Sequence, residues 1–61
     1  MSRYANWQDG EIVDEIEEQG VNLTPWEIDF VESVVKTLNG DEELSDDQRS
    51  KLIEIAEDRV P

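Results

Sequence analysis

The chain has 61 residues, with 17 acids against five bases and neither cysteine nor histidine, for a formal charge of −12. That length holds one domain, residues 1–61, and the missing residue types exclude a disulfide, a thiol nucleophile, a histidine base and a Cys/His zinc site. A polyanion is repelled by DNA, RNA and anionic lipid, and apolar runs no longer than pairs such as Val34-Val35 give no membrane span or signal segment.

Residues 1–7 carry no helical period. They are read either as a flexible tail or as a segment that folds Tyr4 and Trp7 back onto the core. Helix α1 is expected over about 9–19. Gly10 costs about 1 kcal/mol relative to alanine inside a helix, so the start falls at Asp9 or Gly10. Asp9 is then the cap, with Asn6 as a competitor, and Gln19-Gly20 is the stop. Ile12, Val13 and Ile16 make a narrow apolar stripe.

Helix α2 is expected over about 25–38. Thr24-Pro25-Trp26-Glu27 is a capping box with proline at the first helical position, and Leu23 with Ile28 fits a hydrophobic staple. Asn39-Gly40 is the stop. Trp26, Ile28, Phe30, Val31, Val34, Val35 and Leu38 sweep an arc of roughly 200° at the helical period. So wide an arc predicts a central helix touched on two sides, with Trp26 in the core or half-buried. Glu32 to Lys36 is a favourable i,i+4 order.

Helix α3 is expected over about 46–59. Ser45-Asp46-Asp47-Gln48 is a second capping box, with Leu44 ahead of it and two acids in the first turn, where the helix dipole favours them. Leu52, Ile53, Ile55, Ala56 and Val60 form one face of roughly 160°. Asp47 to Lys51 is another helpful pair. High net charge with modest hydrophobicity signals disorder, but two capping boxes and helical spacing outweigh it. The fold class is all-α, a three-helix miniature domain with α2 central. The alternative is an α2–α3 hairpin with a mobile acidic N-terminal arm.

The charge is uneven. Residues 1–20 hold six acids and Arg3 (net −5), residues 21–40 three acids and Lys36 (net −2), and residues 41–61 eight acids and three bases (net −5). On α1, Glu11, Asp14, Glu15 and Glu18 fall at i, i+3, i+4 and i+7 with no base among them. Like charges at this spacing repel by a few tenths of a kcal/mol per pair, roughly 0.2–0.5. The second unbalanced group is Asp41, Glu42 and Glu43, followed by Asp46 and Asp47.

Solubility alone accounts for such surplus acid. The functional reading is a surface for a basic protein partner. Carboxylates one turn apart stand roughly 5–6 Å from each other, and phosphates along one DNA strand are about twice 3.4 Å apart along the contour. A carboxylate stripe therefore competes for a basic nucleic-acid-binding groove. The candidate partner-binding residues are Glu11, Asp14, Glu15, Glu18, Asp41, Glu42, Glu43 and Trp7. Trp7 is read either as an interface contact, since tryptophan is enriched among hot spots, or as packing under the α1–α2 junction.

No cofactor or metal is expected. An EF-hand loop begun at Asn39 puts Asp41 and Glu43 in register but has Leu44 where glycine is needed and Ser50 where a bidentate glutamate is needed. Acids on exposed helix faces lack the cleft that acid–base catalysis requires, and no serine has a histidine base. The chain is read as a non-enzyme.

Leu23-Thr24-Pro25-Trp26-Glu27 with Phe30 and Ser33, then Leu44-Ser45 with Gln48, Leu52 and Ile55, resembles a helical module of small phage and prophage accessory proteins and of tails of some replication-related proteins. In size and charge the chain is also similar to anti-restriction, anti-CRISPR and repair-inhibiting proteins. What the resemblance implies is an inhibitor or DNA mimic acting on a host or phage enzyme in the cytoplasm, without direct nucleic-acid or membrane binding. The rival expectation is an adaptor or homodimer held by apolar surface left over on α2. Salt sensitivity separates the two.

Overall fold

Each helix starts on a residue in extended backbone, answered three positions later by a Glu or Gln whose side chain accepts that residue's N–H. At α2 the bond from Thr24 N–H to Glu27 is 2.8 Å, and the Glu27 N–H returns 3.2 Å to the Thr24 hydroxyl. At α3 the same exchange joins Ser45 and Gln48, at 2.9 and 3.2 Å. At α1 the cap is Gln8, rather than Asp9 or Asn6, and its N–H donates to Glu11 at 2.9 Å. Asp9 is unavailable as a cap because its carboxylate is paired with Arg49.

The computed structural model describes residues 2–61. Its helices are α1 (Asp9–Gln19), α2 (Pro25–Asn39) and α3 (Asp46–Arg59), an all-α three-helix domain with no strand among the described residues. Tyr4, Ile12, Ile16, Val34, Leu52 and Ile55 are fully buried and define the core.

Among the described residues before α1, Tyr4 belongs to that core and Trp7 packs against it, so 2–7 is not a free tail. A turn bonded from Trp7 N–H to the Tyr4 carbonyl (3.0 Å) drops the Tyr4 ring inside, where it is 0% exposed. The Trp7 ring meets it edge-on, with centroids 4.9 Å apart. The Tyr4 hydroxyl accepts from Arg3 at 2.6 Å, so its polar end is satisfied.

Helix α1, not α2, is the central element. It packs most extensively on α3, and α2 makes the thinner contacts of the bundle. Val31 and Val34, in the middle of the α2 arc, are buried, but Trp26 is 56% exposed and Ile28 47%. Both α1 and α3 touch the arc, as its width predicts, but its two edges also carry exposed apolar groups. Trp26 lies out of the core, stacked on Phe30 (5.5 Å, 11° between planes) with the Lys51 ammonium 5.1 Å from its ring centre.

Two arginines of α3 tie the bundle together. Arg49 donates to the carbonyls of Trp7 (2.6 Å) and Ala5 (3.2 Å) and pairs with Asp9. Arg59 donates to both Glu27 oxygens, at 3.0 and 3.3 Å, and its carbonyl accepts the Val21 N–H at 2.9 Å. Helices α1 and α3 therefore lie start beside start and end beside end, with α2 returning between them in sequence. Lys51 pairs with Glu54 (3.3 Å) rather than Asp47, and the ion pairs among the described residues do not include Glu32–Lys36.

Hydrogen bonding from the Thr24 backbone N–H, together with the Arg59 guanidinium, holds the Glu27 carboxyl below the usual glutamate range, although its partial burial works the other way. Its contribution to stability is thus fully present above the unfolded-state value, about 4.3, and is lost as pH falls through the lowered native value. Glu27→Gln keeps the cap but removes the charge. Urea melts across the acid range should show the two proteins furthest apart near neutral pH and converging in acid. Tyr4→Ala should cost about 3 kcal/mol, the low end for emptying an aromatic core site, a large part of the total for a domain this small. A denaturation midpoint within about 1 kcal/mol of wild type would contradict the buried Tyr4.

Candidate functional site

The capping exchange at Gln8 fixes where α1 begins, and that start sets which side chains face outward. At the helical period, Glu11, Asp14, Glu15 and Glu18 occupy an arc of about 100° whose middle is opposite the Ile12–Val13–Ile16 face. Because that face is buried, the stripe projects away from the core. Glu11, Asp14 and Glu18 are exposed, and Glu15 is half-buried. None of the four is in an ion pair among the described residues. Glu11 also serves the fold, because one of its oxygens accepts the Gln8 N–H.

The second acidic group sits on a helix terminus of unusual chemistry. The Glu42 N–H bonds to the Thr37 carbonyl (3.2 Å) and the Asp41 N–H to the Leu38 carbonyl (3.1 Å). This is the Schellman pairing, which places Asp41 at the position where glycine is the usual residue. Asp41 takes a left-handed φ of 60°, and Gly40, one residue earlier, has φ −86°. The sequence stop at Asn39-Gly40 is right to within one residue, but the residue that makes the reversal is the aspartate. Asp41, Glu42 and Glu43 are all exposed at the negative end of the α2 dipole, where acids are disfavoured.

Asn39 and Asp14 line one shallow groove with Gly10. The 41–43 loop therefore springs from the end of the domain where α1 begins, beside the first half of the stripe. Lys36 lies in the last turn of α2, just before the 41–43 acids, and is in no ion pair among the described residues. Arg49 and Arg59 are committed to Asp9 and Glu27, and Lys51 to Glu54. The Arg3 guanidinium lies 4.9 Å from the centre of the Tyr4 ring.

Trp7 is half-buried against the core, and its carbonyl is held by Arg49. The more exposed tryptophan is Trp26, expected in the core or half-buried but 56% exposed. Its place at the edge of the α2 arc, in the first turn, is the local signal that it could face solvent. Among the described residues no group of three or more acids gathers in a metal-holding arrangement, and no helix is long and apolar enough to cross a membrane. Compared with protein-family models, curated proteins and solved structures, the chain matches none.

The strained terminus gives a direct test. Asp41→Gly removes both the left-handed cost of a Cβ and a carboxylate at the helix C-terminus, and should raise stability by about 0.5–1 kcal/mol. A rise in urea midpoint at unchanged slope would report it, and a fall would contradict the left-handed assignment.

Proposed function

We propose that this chain is a small acidic protein-binding module that blocks the basic groove of a nucleic-acid-handling protein, in the manner of a phage-type inhibitor or DNA mimic. The observation that carries this reading is the outward stripe of Glu11, Asp14, Glu15 and Glu18, set opposite the buried face and free of ion pairs among the described residues. Adjacent carboxylates on such a stripe stand roughly 5–6 Å apart, comparable with phosphates along the contour of one strand, about twice 3.4 Å, and a basic groove built for phosphate accepts them. The 41–43 acids extend the negative surface at the end where the stripe starts. The module binds and occludes and does no chemistry of its own, since neither patch is set in a cleft with a proton-transfer partner.

The balance of stability supports a retained surface over an incidental one. Repulsion within the stripe and acids beyond the α2 terminus each work against folding. Two of the five bases, Arg49 and Arg59, are used between helices instead.

Changing Glu11, Asp14, Glu15 and Glu18 together to glutamine keeps the Gln8 cap, since an amide oxygen also accepts an N–H. Wild-type protein immobilised in lysate is expected to retain nucleic-acid-binding proteins at low salt. It should release them near 1 M, where the Debye length is about 3 Å. The glutamine variant should retain none and should melt slightly higher. Partners that survive both high salt and the variant would overturn the stripe as the binding surface.

A further inference from the structure

The side of the bundle where α1 meets α2 is not closed. A groove of about 610 Å³ lies between the end of α1 and the start of α2, over Ile16, Leu23, Ile28 and Val31, bordered by the exposed Glu17 and Glu32. A second groove of about 250 Å³ continues between the start of α1 and the end of α2, over Val13, Val35 and Leu38, bordered by Asp14 and again by Glu17. Glu17 belongs to both, so the two form one seam along the helix pair. Leu23 and Ile28 both line this opening, and Ile28 stays 47% exposed.

Chemistry selects the occupant. The floor is aliphatic and the bordering charges are all carboxylates. A second copy of this chain would bring its own Asp14, Glu17 and Glu32 to the same borders and a further −12 of charge, and a nucleic acid would bring phosphates. The seam is as long as α1, whose 11 residues span about 16 Å, or three helical turns. That is the footprint of an amphipathic helix laid apolar face down in a groove. We infer that the α1–α2 seam docks a basic amphipathic helix of a partner protein, its aliphatic anchors over Leu23, Ile28 and Val35 and its Lys or Arg residues against Glu17 and Glu32. The seam shares Asp14 with the outward stripe at one border, but its aliphatic floor, Glu17 and Glu32 lie outside the stripe, and the inference does not rest on the stripe.

The probe is a synthetic Leu/Lys peptide of about four helical turns with leucines at helical spacing, titrated into the isotope-labelled full chain and followed by amide chemical shifts at physiological salt. Saturable binding is expected, with shifts concentrated on Val13, Glu17, Ile28 and Val31. A scrambled peptide of identical composition should bind at least about tenfold more weakly, because it keeps the charge but loses the apolar face. Ile28→Ser should weaken binding about tenfold without unfolding the protein, since Ile28 is half-exposed, and Glu17→Gln with Glu32→Gln should weaken it severalfold. Glu11→Gln with Glu18→Gln should leave it within about twofold, so the fate of the seam can be read apart from that of the stripe. Equal binding of the scrambled peptide overturns the inference. So do shifts confined to the stripe or to the Trp26–Phe30 flank, or self-association that buries the seam.

Discussion

Arg49 and Arg59 hold this domain in shape. A chain this short, without disulfide or metal, needs cross-ties beyond its core. Each guanidinium offers several donors in a fixed plane, and each is placed near one end of α3. Arg49 gathers two carbonyls and a carboxylate from the segment that leads into α1. Arg59 grips the capping glutamate of α2, and its own carbonyl receives the N–H of the α1–α2 loop. The burial of Tyr4 depends on the first clamp, since the turn that carries the ring inward is the turn whose carbonyls Arg49 holds.

The same clamps shape the surface. By answering Asp9 and Glu27, the two arginines answer acids at helix starts, and the outer face of α1 is left without counter-charge. Glu27 joins the two tasks. It closes the α2 capping box and receives Arg59, so a local signal at the start of a helix also fixes how that helix meets the last one. The inter-helix geometry and the negative outer face thus have a common origin in how five bases are distributed.

Much of the local architecture is legible in the chain. Thr24 and Ser45 start helices because their side chains and those of Glu27 and Gln48 satisfy orphan backbone donors, a purely local chemistry. Gln8 escapes the same reading because glutamine is not among the preferred cap residues. The centrality of α1 escapes it for another reason. Periodicity reports which side of a helix is apolar, not how closely its neighbours cover it, so the wide arc of α2, touched by both other helices, gives no sign that the packing is thin and the edges open. Arg49 and Asp9 stand 40 positions apart, and no local pattern couples them. The outward direction of the acidic stripe follows from period alone. The open seam does not, because a groove is a property of two helices at once.

The parallel placing of α1 beside α3 bears on how the chain folds and opens. The most extensive interface joins the first helix to the last, so its contacts reward the chain only after a long loop has closed, at an entropic cost that grows with the logarithm of its length. Neither helix pair adjacent in sequence has as much packing to hold it beforehand. Assembly is then close to all-or-none, with little to gain from a half-formed hairpin. Within the folded state α2 has the thinnest packing of the three helices, so local fluctuations fall on it first.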